Sequence, residues 1–334
     1  MTLSYLCRLL CLCGCFLTPI WVFCEAVLWM AAPRVQRWLG RKPAETESTL
    51  LFCLLVAPLA LSIGFTLTVC IPAYIAAEQN TDVERVGGLI AWFAALALLS
   101  FVPGCLRGMR ALIRTQRVTA ACKGETRLLT LNGKPLRLNV IEGSGLALSV
   151  VGLLHPEIII SSVLLESFSR EELEVALAHE QAHSLRRDNL KRLVVHIMPS
   201  FLVFSGRRRA LHRAWSEALE YSADLYAVSR DALPRERANR GLTLARVLVA
   251  VARESSRLDT PFASALGSSS EQHLCRRIDR LLEPDGGATT EGSGVTPLAS
   301  VVFFSLCFLV SAGTFCATAS SLPVQALLEH LLHL

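Results

Sequence analysis

The sequence predicts a mainly helical membrane protein with one α+β segment outside the bilayer, and three observations carry that expectation. Hydrophobic residues make up 52% of the 334 and mean hydropathy is +0.45, too apolar for an ordinary water-soluble chain. Four apolar runs, at about 9–32, 50–77, 87–106 and 296–322, exceed the ~18–20 residues that cross a bilayer. Between the third and fourth runs lies a polar, basic stretch whose apolar residues alternate at strand spacing, then recur at helix spacing. The expected organisation is therefore a three-helix membrane region at 1–106, a soluble domain at 107–295, a fourth span at 296–322 and a short tail at 323–334.

The first run is too long for a signal peptide, has only Arg8 ahead of it and is followed by basic residues. It contains Glu25, an acidic group that inside a membrane faces protein or water, or else sits at the interface. Pro58 and Pro72 are expected to kink the second run. Ten of the twelve cysteines fall in or beside apolar runs, where Cys acts as a small buried residue. Only Cys122 and Cys275 lie in the polar middle, so no disulfide framework is expected and a reducing compartment fits.

Charge gives the orientation. Of 33 Lys and Arg, 27 lie between Arg107 and Arg280 and four more between the first two runs, which leaves only Arg8 and Arg85 for the opposite side. By the positive-inside rule the soluble domain is cytoplasmic and both termini are outside, a layout that suits a bacterial inner membrane.

Within the soluble domain, residues 110–121 read as a basic helix on the membrane surface. Strands are expected at 128–131 and 136–141 around the turn Asn132-Gly133, and at 146–151 and 158–160, with a short helix before Phe168. Ser169 and Glu172 form a capping-box pattern that starts the next helix. The apolar stretch 193–204 contains Pro199 and is too short to span, so a core or membrane-dipping segment is expected. Helices follow at 210–229, 238–253 and 271–282, and a flexible Gly-rich tether precedes the fourth run.

The capped helix carries His179-Glu180-Gln181-Ala182-His183, the HExxH pattern of zinc peptidases. Positions i and i+4 share a helical face, so His179 and His183 can aim at one Zn2+. Glu180 lies beside the first ligand, placed as a general base without being a ligand itself. A catalytic zinc needs a third protein ligand. The sequence Glu220-Tyr221-Ser222-Ala223-Asp224 offers Glu220 as that ligand and Asp224, one turn on, as a partner for a ligand histidine's second nitrogen. Glu217 competes with Glu220, though it lacks an Asp one turn downstream. Arg277 is a candidate oxyanion stabiliser, or else a salt-bridge partner on the last helix. His155, His196, His212 and His273 read as structural, and Arg186, Arg187 and Arg207 to Arg209 as solvated or facing lipid headgroups. Strand 146–151 is an ordinary core strand or a rail for an extended substrate.

These residues, with His155-Pro156-Glu157-Ile158-Ile159, Ser169-Arg170-Glu171-Glu172-Leu173 and Arg276-Arg277-Ile278-Asp279-Arg280-Leu281, resemble the BlaR/MecR-type integral-membrane zinc metallopeptidases, the antirepressor family. The resemblance runs from about residue 142 to 282. It implies a gluzincin-like zinc peptidase fold for the cytoplasmic domain, with His179, His183 and Glu220 on zinc and Glu180 as catalytic base. It also implies a protein substrate such as a transcriptional repressor. The antibiotic-sensing members carry a penicillin-binding domain after the last span. Only about a dozen residues follow it here, so no such sensor is expected and a signal would arrive through the spans, a second copy or a sensor partner. Quality-control peptidases of the HtpX type share the motifs but usually carry a full hydrophobic hairpin, for which 193–204 is too short; an HtpX-like membrane quality-control protease and a non-catalytic metal-binding signal transducer stay as the alternative functions. Beyond the lipid bilayer and a protein substrate, no direct nucleic-acid contact is expected, because no aromatic residues interleave the basic clusters.

Overall fold

The computed structural model describes residues 3–72, 88–121, 125–131, 134–142, 148–198, 205–230, 233–257 and 271–282. The fourth apolar run, the tail, the Gly-rich tether and the Asn132-Gly133 turn lie outside them.

Among the described residues, three helices are long and apolar enough to cross a membrane: α1 (Leu3–Leu39), α2 (Ala44–Phe65, continued by a π-helical turn at Thr66–Cys70) and α3 (Gly88–Ala121). At 1.5 Å per residue α1 is ~55 Å long, well beyond the ~30 Å hydrocarbon core, so part of it must project from the bilayer. The 37 residues of α1 pass through Pro19 and Pro33 without a break. Pro58 is likewise inside α2, while Pro72 falls beyond its π turn.

The basic residues after the third span do not make a separate surface helix. Arg110, Arg114 and Arg117 continue α3 in one 34-residue helix. Between Leu106 and Arg110 there is only Gly108 to weaken the backbone ladder, and a lone glycine does not end a helix. The change from apolar to basic residues is therefore not where the helix stops.

A four-stranded sheet follows, made of β1 (Glu125–Leu131), β2 (Lys134–Ile141), β3 (Leu148–Val151) and β4 (Glu157–Ser161) in the order β1-β2-β4-β3. β1 and β2 are antiparallel, β2 and β4 parallel, and β3 closes the sheet as an antiparallel edge on β4. Gly152 turns the chain after β3 with φ +98°, a conformation that L side chains rarely adopt.

The short α4 (Ser162–Ser167) leads to α5 (Arg170–Arg186), α6 (Asp188–Ile197), α7 (Ser205–Ser229), α8 (Pro234–Arg257) and α9 (Glu271–Leu282). Leu177 of α5 is fully buried on Leu138, Val150 and Ile158 of the sheet, and its neighbours Val175 and Ala178 pack with Ala227 of α7 and Leu244 of α8. α5 is thus held between sheet and helices.

The later helices pack against the long apolar helices. Leu211, Trp215, Ala218 and Leu219 of α7 share one apolar cluster with Leu28, Ala32 and Leu39 of α1 and Leu51 and Leu55 of α2. Gly108 of α3 lies so close to α6 that a Cβ there would come within 2.3 Å of Ile197. Arg107 reinforces this contact by donating to the Met198 carbonyl at 3.1 Å.

A Cβ at Gly152 would stand 2.5 Å from the His155 carbonyl oxygen, on a backbone already at positive φ. Gly152→Ala is expected to destabilise the protein by ~1–3 kcal/mol. A thermal melt of the purified variant that overlays the wild type would contradict this.

Candidate metal centre

The site begins with the start of α5. The Ser169 hydroxyl accepts from the Glu172 backbone N–H at 3.2 Å, and the Glu172 carboxylate accepts from the Ser169 N–H at 2.9 Å. This reciprocal cap sets the register of the helix, and with it the face on which His179 and His183 stand together. The helix ends at Arg187, the one non-glycine at positive φ among the described residues (φ 53°, ψ 45°). That left-handed residue reverses the chain so that Asp188, the first residue of α6, returns beside His183.

The two Nε2 atoms face each other at 3.2 Å. Glu220 Oε2, arriving from α7, is 3.7 Å from His179 Nε2 and 3.8 Å from His183 Nε2. Adjacent ligands of a tetrahedral zinc with bonds of ~2.0–2.1 Å stand about 3.3 Å apart, so this triangle is close to one face of such a site. The group His179, His183 and Glu220 is the metal-ligand cluster that the described residues contain.

The Nδ1 sides of both rings are turned to carboxylates. His183 Nδ1 is hydrogen-bonded to Asp188 Oδ2 at 2.8 Å. His179 Nδ1 is 3.0 Å from Asp224 Oδ1, at ion-pair distance but out of hydrogen-bond alignment. With protons on Nδ1, the lone pairs of both Nε2 atoms converge on one point. Two acceptors 3.2 Å apart repel each other unless a cation lies between or beside them, so the donor set fits a metal ion.

Three carboxylates and their counter-charges share this space. Asp224 has no solvent exposure, and Arg277 of α9 grips it with Nε to Oδ2 at 2.9 Å and Nη2 to Oδ1 at 2.6 Å. Arg277 Nη1 is also 3.1 Å from Glu220 Oε2, and Arg192 of α6 donates to the other oxygen, Oε1, at 2.8 Å. Lys191 Nζ is 3.1 Å from Asp188 Oδ1.

Burial works against charge on His179, His183, Glu220 and Asp224, and the partners overcome it. Despite burial, His183 is pushed up to about 9 by the Glu220 charge and the Asp188 hydrogen bond, and His179 is raised by Asp224 and Glu220. Against the same burial, the charges on His183 and Arg277 hold Glu220 well below the usual carboxylate range. Arg277 and His179 lower Asp224.

The structure therefore gathers His179, His183, Glu220, Asp224 and Arg277 in one place. Glu217 is elsewhere: it accepts from Arg276 Nη1 at 3.1 Å, half-exposed. Arg277 is a buried salt-bridge partner of α7, and to meet an oxyanion its Nη1 would have to leave Glu220. Asp188 and Arg192 were not read as site residues from the sequence. Asp188 is five residues past His183, off the face of an unbroken helix, and only the left-handed Arg187 brings it back. Arg208, expected in solvent or among headgroups, is instead turned inward against α1.

A profile described as Peptidase family M48 matches residues 114–218, less than half of the chain. The match supports a metallopeptidase. It takes in both histidines and Glu180 and stops just before Glu220, so the third ligand rests on geometry. No curated protein and no solved structure matches the chain.

A metal would displace protons here. The raised His183 contributes stability to the metal-free protein that is fully present below its ordinary value of 6.5 and lost as pH rises through about 9. At pH 7.5, zinc uptake by the stripped protein is expected to release about one proton or more, and affinity is expected to climb towards pH 9. Calorimetry in buffers of different ionisation enthalpy would reveal this; uptake without proton release would contradict the arrangement.

Proposed function

We propose that this chain is a membrane-embedded, zinc-dependent endopeptidase that cuts cytoplasmic or membrane-proximal proteins. The observation that carries the reading is the convergence of His179 Nε2, His183 Nε2 and Glu220 Oε2 within 3.8 Å of one another, with both Nδ1 atoms backed by buried carboxylates. The match to the metallopeptidase family over 114–218 supports it independently.

Zinc held by His179, His183 and Glu220 would supply Lewis acidity, polarising a peptide carbonyl and acidifying water. The remaining work falls to the chain. Glu180, next to His179 on α5, takes the proton from the attacking water on its carboxylate and returns it to the leaving amine nitrogen. Asp188 and Asp224 hold the two imidazoles with Nε2 inward. Arg192 and Arg277 keep Glu220 ionised and in place.

The edge strand β3 gives a backbone against which an extended substrate would lie. Asn189, just past the histidine helix, ties β3 to the site by donating to the Val150 and Gly152 carbonyls at 2.9 and 3.2 Å. The packing of α7 on the apolar helices supports a centre that works close to the membrane, which suits substrates that are tethered or delivered there. Within this reading, the BlaR/MecR-type layout points to a regulatory cut, such as inactivation of a repressor.

Glu180→Gln keeps the size of the side chain and removes the base. It is expected to lower hydrolysis of a casein-like substrate, or self-cleavage, by about 10²–10⁴-fold while one zinc per chain is retained. Equal turnover by the variant and the wild type would end the peptidase assignment.

A further inference from the structure

Glu25 lies in the middle of α1, inside the first candidate span, and is only 3% exposed. Trp21 Nε1 is 3.4 Å from its carboxylate. Its main partner is Arg208, which forms a buried ion pair with it from the start of α7. Arg208 Nη2 also donates to the Leu55 carbonyl of α2 at 3.1 Å, so one guanidinium ties α7 to both α1 and α2. Next to it, Arg207 stacks over the Trp29 ring at 3.7 Å and bonds the Trp29 carbonyl.

A carboxylate and a guanidinium taken out of water are costly, and nothing in helix packing alone calls for them. What they provide is direction. The apolar cluster of Leu211, Trp215, Ala218 and Leu219 on α1 and α2 tolerates sliding and rotation, whereas a buried ion pair has one register. α7 runs unbroken from Ser205 to Ser229, so that register is passed rigidly to Glu220, about 18 Å along the helix from Arg208. The histidines belong to α5, which is seated on the sheet. The two histidines are thus seated between the sheet and the far half of α7, while the third candidate ligand is carried on the helix that packs against α1 and α2.

We propose that Glu25 is a positioning residue for the metal centre, acting through Arg208 and α7 to hold Glu220 against His179 and His183. The proposal rests on the zinc-peptidase reading above. It makes the centre responsive to the place of the first span, since a shift of α1 moves Glu220 relative to the histidines.

The test uses the full chain in lipid nanodiscs, with zinc affinity read by chelator competition beside kcat, KM and the melting temperature. Glu25→Gln and Arg208→Gln are each expected to weaken zinc binding about three- to tenfold, and the double variant no further than either alone. Arg208→Lys should recover most of the affinity. kcat should fall with KM unchanged, since neither residue touches substrate. Leu59→Ala, buried in α2 outside the shared cluster, serves as a control that lowers the melting temperature but leaves zinc affinity intact. If Glu25→Gln does not fold, Glu25→Asp, which keeps the charge but draws it back by one methylene, carries the same expectation. Wild-type affinity in the Glu25 variant, or equal weakening in Leu59→Ala, overturns the positioning role alone. A wild-type chain that takes up no zinc overturns the peptidase reading and this role with it.

Discussion

Asp224 has no contact with water, yet it sits in a position where it must stay ionised. A bare carboxylate so placed would take up a proton or force the structure apart. It is kept charged by the two-pronged grip of Arg277 and by the imidazole of His179. Most of the centre follows from that compensation. Arg277 has a further nitrogen to spare, which reaches Glu220. Glu220 in turn faces both histidines, and His183 is answered from the other side by Asp188. The cluster is close to charge balance only as a whole, so removing one member leaves the others buried and unpaired.

The same constraint explains why four separate helices must meet here. α5 brings two ring nitrogens, α7 two carboxylates, α9 the guanidinium, and α6 both Asp188 and Arg192. Three apolar surfaces seat them: α5 lies between the sheet and α7 and α8, with Leu281 of α9 against the same cluster, α7 packs on α1 and α2, and α6 joins that packing through Val195 and the close approach of Gly108 on α3. The centre is therefore built on the membrane helices rather than hung beside them. In a freely tethered soluble domain, α7 would have no reason to present Leu211, Trp215 and Leu219 to apolar spans.

Local signals carried much of this. The capping box at Ser169, the i, i+4 spacing of His179 and His183 and the one-turn spacing of Glu220 and Asp224 are properties of a single helix, and the helices formed as those patterns require. The strands came out within two or three residues of their expected bounds. The basic end of α3 was misread because charge and helix boundary are separate matters. Arg208 was misread because a run of three arginines looks solvated unless its partner, 183 residues away in the chain, is known to be beside it.

Composition and periodicity by themselves determined that this chain has helices long and apolar enough to cross a membrane, a basic segment after them and a helix that sets two histidines on one face. Those features depend on neighbours within a turn or two, where geometry is nearly independent of context. The tertiary structure alone decided which glutamate joins the histidines, that Asp188 backs one ring, that Arg277 is committed to two carboxylates, and that Glu25 answers Arg208. Those choices depend on the packing of elements far apart in sequence, and in a low-dielectric interior a charge settles where its compensation lies, which no spacing along one helix can specify.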